Sequence, residues 1–253
     1  MAIALVRPRR ISLTGWLRAT IRVALMALLL LVCVPLYYVH RLFSHRNPWP
    51  RAFLAVVGWI AGVDLAYHGR KAPGGVFLLA NHVSWIDIPV LAAATGTAFV
   101  GHDGLASMPV LKWLCKMADT VFVARHDRAS VARQVEAVRT ALSDTGALTI
   151  FPEGTTSDGT GLLPFKSSLL SAFEPLPEAI TIQPVLLHYG PEAADVAWVG
   201  EEHGLDNFLR ILARGRPVRI EVHFLEPLSG AQLENRKTIA QAAREAIQRE
   251  LVG

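Results

Sequence analysis

The sequence predicts an α/β protein, a sheet sandwiched between helices and preceded by a helical segment embedded in a membrane. Three observations carry that prediction. From residue 76 onward, short apolar runs rich in β-branched residues alternate with stretches of helical period, the pattern of an α/β sandwich. Polar clusters follow directly after two of those runs, at Asn81 to Asp87 and at Pro152 to Ser157, and ligands of open α/β sheets bind beyond the carboxyl ends of strands. Finally, Val23 to Val39 carries no charge and lies between Arg18 and Arg22 on one side and Arg41, Arg46 and Arg51 on the other.

The chain divides at about residue 66 into a basic N-terminal part, 1–66, and an α/β domain, 67–253. Of the 25 Lys and Arg residues, eight precede Asp64, the first acidic residue, and all eight are Arg. The rest of the chain holds 17 basic and 21 acidic residues, a net of −4, so the overall +4 belongs to the N-terminus alone. This distribution argues against nucleic-acid binding by the main domain and for a basic collar on an anionic bilayer surface. As a helix, residues 23–39 span about 26 Å, slightly less than a hydrocarbon core of ~30 Å. Arginines at both ends give no orientation, and Pro35 is a point for a kink. A second apolar stretch, Phe53 to Ala66 with Trp49 and Trp59, fits the membrane interface. No small-x-small cleavage site follows the apolar run, so the segment reads as a single anchor or a helical hairpin and not as a signal peptide.

Element by element, the pattern gives strand 76–80, helix 87–95, a short strand at 98–100, helix 109–117 and strand 121–123. Helix 129–144 follows, with Val131, Val135, Val138 and Leu142 on one stripe, then strand 147–151, helix 167–173, strand 181–187 and strand 196–199. Helix 205–213, strand 218–225 and a closing helix 235–251 complete the domain, with Ile239, Ala243, Ile247 and Leu251 forming a core stripe on the last. The two cysteines, Cys33 and Cys115, read as apolar fillers and give neither a disulfide framework nor a metal spacing. None of the nine histidines falls in an H-x-x-x-H or H-E-x-x-H pattern, and no metal is expected. There is no G-x-G-x-x-G, P-loop or internal repeat.

Three clusters carry chemistry. Asn81-His82-Val83-Ser84-Trp85-Ile86-Asp87 sets an imidazole and a carboxylate five residues apart. A base that takes a proton from a hydroxyl must be neutral and aimed, and a carboxylate on the other ring nitrogen does the aiming. Residues five apart lie well over 100° apart on a helix, so the pair meets only across a strand-to-helix turn. Taken alone, the pattern equally describes a strand-end histidine beside an aspartate that caps the next helix. Phe151-Pro152-Glu153-Gly154-Thr155-Thr156-Ser157 supplies a carboxylate that accepts from hydroxyls and a glycine that permits close backbone approach; taken alone, it is a turn. Val121-Phe122-Val123-Ala124-Arg125 ends on a guanidinium suited to bidentate phosphate contact, or simply a solvated arginine.

Together these clusters resemble the glycerolipid acyltransferase family that includes 1-acylglycerol-3-phosphate acyltransferases. The family's N-H-x-S-x-x-D motif is matched by Asn81, His82, Ser84 and Asp87, and its apolar pair plus arginine by Phe122, Val123 and Arg125. Its F-P-E-G-T motif is matched by Phe151 to Thr155, and its apolar stretch around a proline by Ile182-Gln183-Pro184-Val185. The resemblance covers roughly residues 65 to 225 and implies a mixed, largely parallel sheet flanked by helices. Three positions depart from the family pattern: Ala118-Asp119-Thr120 stands where a glycine is common, Gly101-His102-Asp103 where a lysine is, and Ser167-Ser168 where another glycine is. The Thr-Thr-Ser-Asp-Gly loop and Leu163 to Ser168 also look like bacterial members that acylate lyso-ornithine lipid.

The function the resemblance implies is transfer of a fatty acyl group from a thioester to the hydroxyl of lysophosphatidic acid, giving phosphatidic acid. The alternative is lyso-ornithine lipid as acceptor, and a third reading is a non-catalytic lipid-binding scaffold. His82 is the expected base and Asp87 its orienting partner, with Arg125 on the acceptor phosphate and Lys166 a further candidate. Ser84, Glu153, Gly154 and Thr155 are expected to line the acceptor site. No cofactor is expected; the co-substrate is acyl-CoA or acyl carrier protein thioester, and the partners are membrane lipids. The implied location is the inner (cytoplasmic) membrane of a bacterium, with the catalytic domain on the cytoplasmic side.

Overall fold

The protein, seen in a computed structural model, is described over residues 11–102, 109–118, 120–123, 131–173 and 180–253. Its helices are α1 (Leu13–Arg41), α2 (Trp49–Ala61), α3 (Asp87–Thr95), α4 (Pro109–Met117), α5 (Val131–Thr145), α6 (Ala193–Val196), α7 (Gly204–Leu212) and α8 (Arg236–Val252). Its strands are β1 (Val63–His68), β2 (Gly75–Ala80), β3 (Ala98–His102), β4 (Val121–Val123), β5 (Ala147–Ile150), β6 (Ile180–His188) and β7 (Val218–Phe224). They form one seven-stranded sheet in the order β1-β7-β6-β2-β5-β3-β4. Every neighbouring pair is parallel except β6–β7, so the sheet is mixed and largely parallel.

The central strands are apolar throughout because both faces are covered. In β2, Val76, Leu78 and Ala80 point into one core, with Val90, Leu91, Ile211, Val218, Ile220 and Val222. Phe77 and Leu79 point into the other, with Val138, Leu142, Leu148, Ile239 and Ala243. Helices α3 and α7 thus cover one face of the sheet, and α5 and α8 the other. The stripe expected on the last helix is buried at Ile239, Ala243 and Ile247, with Leu251 half-buried at its end.

Three elements differ from the sequence expectation, the first being Ser167–Phe173, which winds as a 3-10 helix and not as an α-helix. The sheet begins at Val63, inside the second apolar stretch, because Gly62 ends α2 in a left-handed turn at φ +86° and the chain then pairs with β7 from Val63↔Val218 to His68↔His223. No strand forms at 196–199. The carbonyls of Val196 and Ala197 accept instead from Asn207 Nδ2, both at 3.3 Å, and Arg210 Nη2 also reaches Ala197 O at 3.1 Å, so side chains of α7 take the acceptors a neighbouring strand would use.

Helix α1 starts earlier than its uncharged stretch, with Ser12 capping Gly15 N at 3.1 Å. The first turns pass through Arg18 and Arg22, which reach the last carbonyls of α7: Arg22 Nη1 donates to Leu212 O at 2.9 Å and Arg214 O at 3.1 Å, and Arg18 Nη1 to Ala213 O at 3.3 Å. Cations at a helix C-terminus satisfy orphan carbonyls and the negative dipole end together. Beyond this anchor α1 is long and apolar enough to cross a membrane, and only 11% of its most apolar window is buried in the protein. Helix α2 packs against both α1 and α3, which ties the apolar segment to the domain.

Candidate active site

Strands β6, β2 and β5 are neighbours and parallel, so their carboxyl ends open on one rim. Asn81 and His82 follow β2, Phe151 to Glu153 follow β5, and Tyr189 follows β6. Asn81 ties the first rim segment to the third: its Nδ2 donates to Leu187 O at 3.0 Å and its Oδ1 accepts from Leu187 N at 2.7 Å. The chain then turns through Ser84 into α3, Asp87 N donating to Ser84 O at 3.1 Å, and this turn brings Asp87 back beneath the imidazole.

The Asp87 carboxylate is completely buried and saturated with donors. Oδ2 accepts from His82 Nδ1 at 2.7 Å, Val83 N at 2.7 Å and Ser84 N at 3.0 Å. Oδ1 accepts from the Tyr189 hydroxyl. Burial, with the Asp87 charge beside it, pushes the Tyr189 hydroxyl well above its ordinary range, so it remains a donor. Because Oδ2 accepts, His82 Nδ1 carries the ring proton, which in the neutral imidazole leaves the lone pair on Nε2.

The rest of His82 is held as firmly. Its backbone N donates to Glu153 Oε1 at 2.8 Å, and its carbonyl accepts from Ser157 N at 2.7 Å and Ser157 Oγ at 3.1 Å. The Phe151 ring stacks on the imidazole with centroids 4.1 Å apart and an interplanar angle of 16°. Nε2 alone has no protein partner among the described residues, and the side chain is 20% exposed. An imidazole held at Nδ1 with Nε2 left open can take a proton from a hydroxyl.

The other expected site residues fall at different depths. Glu153 is buried, and besides His82 N its second oxygen accepts from Leu163 N at 2.9 Å. Burial pushes its carboxyl up to about 7 against these two donors and the nearby imidazole. Ser84 is fully buried behind the turn, with Oγ 3.4 Å from Asn207 Oδ1. Gly154, Thr155 and Lys166 lie exposed at the lip. Gly154 has φ +70°, and a Cβ there would meet Lys166 Nζ at 3.1 Å, so the lysine stem lies over the glycine. Arg125 lies outside the described residues. Sequence reasoning missed Tyr189, which is 102 positions from Asp87; the available signal was a tyrosine two residues past the apolar run at 181–187. It also missed Trp198, whose N–H donates to Val83 O at 2.9 Å and whose carbonyl accepts from Thr156, joining the loops after β2 and β5.

A family model described as Acyltransferase matches residues 64–188, from β1 to the end of β6. The lyso-ornithine lipid O-acyltransferase of Rhodobacter capsulatus is 32% identical over 251 residues, covering 93% of this chain and 91% of its own length. The 1-acyl-sn-glycerol-3-phosphate acyltransferase of Neisseria meningitidis serogroup B is 32% identical over 203 residues, 75% of this chain and 76% of that one. The crystal structure of the 1-acyl-sn-glycerophosphate acyltransferase of Thermotoga maritima shares the fold, with a TM-score of 0.61 over 92% of this chain and 96% of that one at 19% identity. The match is in both sequence and fold, and it spans the strand ends that carry His82 and Glu153 and the helix that begins at Asp87: the chain belongs to the acyltransferase family and is an enzyme of glycerolipid type.

Proposed function

We propose that the protein transfers a fatty acyl group from a thioester donor to the free hydroxyl of a lysolipid, with His82 as general base. The observation that carries this reading is that, among the described residues, every polar atom of His82 except Nε2 is engaged, and that Nδ1 is held by a saturated, buried carboxylate. Nε2 takes the hydroxyl proton as the acceptor oxygen attacks the thioester carbonyl. Asp87 stabilises the imidazolium, the C–S bond breaks as the tetrahedral adduct collapses, and the thiolate leaves with the proton that Nε2 held. General-base assistance of this kind is worth roughly 10²–10⁴ in rate. Glu153 and Ser157 fix the His82 backbone, and Gly154, Thr155 and Lys166 line the entry of the acceptor.

Of the two acceptors the sequence raised, lyso-ornithine lipid takes precedence, because a relative named for that acceptor, the one of Rhodobacter capsulatus, matches over nine-tenths of both chains. Lysophosphatidic acid is the second reading, supported by the Neisseria relative and by Arg125, two residues beyond β4. Helix α1 and the lipid nature of the acceptor support membrane association. The eight arginines before Asp64 favour an anionic leaflet, and acyl-CoA and acyl carrier protein favour the cytoplasmic face of a bacterial inner membrane. Detergent-solubilised protein offered each lysolipid with each thioester tests the assignment. Acylation of lyso-ornithine lipid that survives Arg125→Ala is the expected result. Phosphatidic acid as the sole product, abolished by Arg125→Ala, would transfer the assignment to lysophosphatidic acid.

A further inference from the structure

A second cluster of histidines and carboxylates lies away from the rim, where β1, β7 and β6 run side by side. The register pairs His68 on β1 with His223 on β7, and His188 on β6 with Glu221 on β7. Directly paired residues share a face, and so do Glu221 and His223 at i, i+2. This is the face opposite Val218, Ile220 and Val222, which point into the core with α3 and α7. Successive residues alternate sides, so Tyr189 reaches Asp87 from one face while His188, one residue earlier, joins this cluster on the other.

The ligating atoms converge. Glu221 Oε2 lies 3.4 Å from His68 Nε2 and 3.3 Å from His223 Nε2, and His188 Nδ1 is 3.9 Å away. Tetrahedral zinc with bonds of about 2.0–2.1 Å separates its ligand atoms by about 3.3–3.4 Å, the spacing found on both sides of Glu221. The inner histidine is also prepared as a ligand. His223 is mostly buried, and its Nδ1 pairs with Glu250 of α8 at 2.8 Å, which leaves Nε2 turned to Glu221. A carboxylate on the far nitrogen is the usual support of a metal-bound imidazole. The His68 and His223 rings stack with centroids 4.3 Å apart and an interplanar angle of 26°. His68 is half-exposed, and a rotation of its ring out of that stack would aim Nε2 at a shared ion.

We infer that His68, Glu221 and His223 form a site for a divalent transition-metal ion of the zinc class, with Glu250 orienting His223 and His188 as a fourth ligand within reach. Two imidazoles and a carboxylate suit zinc, copper or nickel better than calcium or magnesium. The two carboxylates of the cluster balance the charge of the ion. The site opens on a groove of about 500 Å³ lined by His68, His223, Leu225, Gln232, Arg249 and Glu250. Local spacing hides it from the sequence, because its ligands come from strands at opposite ends of the domain. It takes no part in the reaction at His82, and the inference stands independently of the acceptor.

The test is Zn²⁺ binding by the full, untagged chain in detergent, stripped with a chelator and titrated against a chromophoric competitor. The wild type is expected to bind one Zn²⁺ per chain and to melt at higher temperature when loaded. His68→Ala changes a half-exposed side chain and Glu250→Gln keeps the shape of the orienting group; each is expected to weaken binding at least about 10-fold. His45→Ala, at an exposed position on the N-terminal side, is expected to leave it unchanged. Failure of the wild type to bind at 100-fold excess Zn²⁺, or equal affinity in His68→Ala, Glu250→Gln and wild type, would overturn the site.

Discussion

Among the described residues, histidine pairs with carboxylate in two places, and the two differ in how the carboxylate is surrounded. At the rim, Asp87 is buried and accepts from one imidazole, two backbone N–H groups and a tyrosine hydroxyl. At the β1–β7–β6 cluster, Glu221 is half-exposed and has three imidazoles around one oxygen. The saturated carboxylate has no capacity left for a ligand, so it fixes one nitrogen of His82 and turns the other outward, as a base requires. The open one gathers imidazole nitrogens around a common point, as a cation requires. Which residues are present matters less than how many of their acceptor sites are already filled.

The largest effect should come from emptying the saturated site. Asp87→Ala removes four hydrogen bonds at once and leaves Val83 N, Ser84 N and the Tyr189 hydroxyl buried without their acceptor. Unpartnered buried groups cost about 1–3 kcal/mol each, so the variant is expected to lose activity by at least ~10² and to be destabilised by several kcal/mol, read as turnover and as the denaturation midpoint. Full activity would remove the distinction between the two clusters.

Glu153 gives the next largest effect, through pH. Its carboxyl stands at about 7 in the folded chain against an ordinary 4.5, so the folded state holds a proton that the unfolded chain releases earlier. The stability this contributes is complete below 4.5 and is lost as pH rises through about 7, a change on the order of 3 kcal/mol. Chemical denaturation of wild type and Glu153→Gln between pH 4.5 and 8 checks this. The wild type should lose stability relative to the variant as pH rises, and a constant difference would refute it.

Tyr189→Phe removes one donor of the four on Asp87. A hydrogen bond to a charged group is worth about 1.5–3 kcal/mol, so stability falls by about that amount. Tyr189 is buried and donates to Asp87, and kcat is expected to fall with KM unchanged. A rise in KM alone would place Tyr189 in substrate binding. The smallest effect is at the lip. Gly154→Ala forces a side chain into φ +70° against Lys166 and Leu169 and is expected to cost about 1 kcal/mol, with a change in KM exceeding any change in kcat.

Much of this was legible in the sequence for physical reasons that differ by region. The central strands read clearly because burial on both faces makes Val76 to Ala80 uniformly apolar, and the pairing of His82 with Asp87 follows from the strand-to-helix turn between them. β1 was obscured because it continues directly from an apolar helix and its alternation, Val-Asp-Leu-Ala-Tyr-His, is shallow. Residues 196–199 look like a strand, and only the side chains of Asn207 and Arg210 decide otherwise. Tyr189 and the three-strand histidine cluster depend on register between strands far apart in the chain, which no local spacing encodes.

The most direct test of the central claim compares lysolipid acylation by wild-type protein and His82→Ala in detergent, with folding verified by circular dichroism and the melting temperature. Asp87 in that variant keeps Val83 N, Ser84 N and Tyr189 as donors, so the fold is expected to persist. Turnover should fall by roughly 10²–10⁴ at unchanged lysolipid affinity. A folded His82→Ala protein that acylates as fast as the wild type would contradict the account.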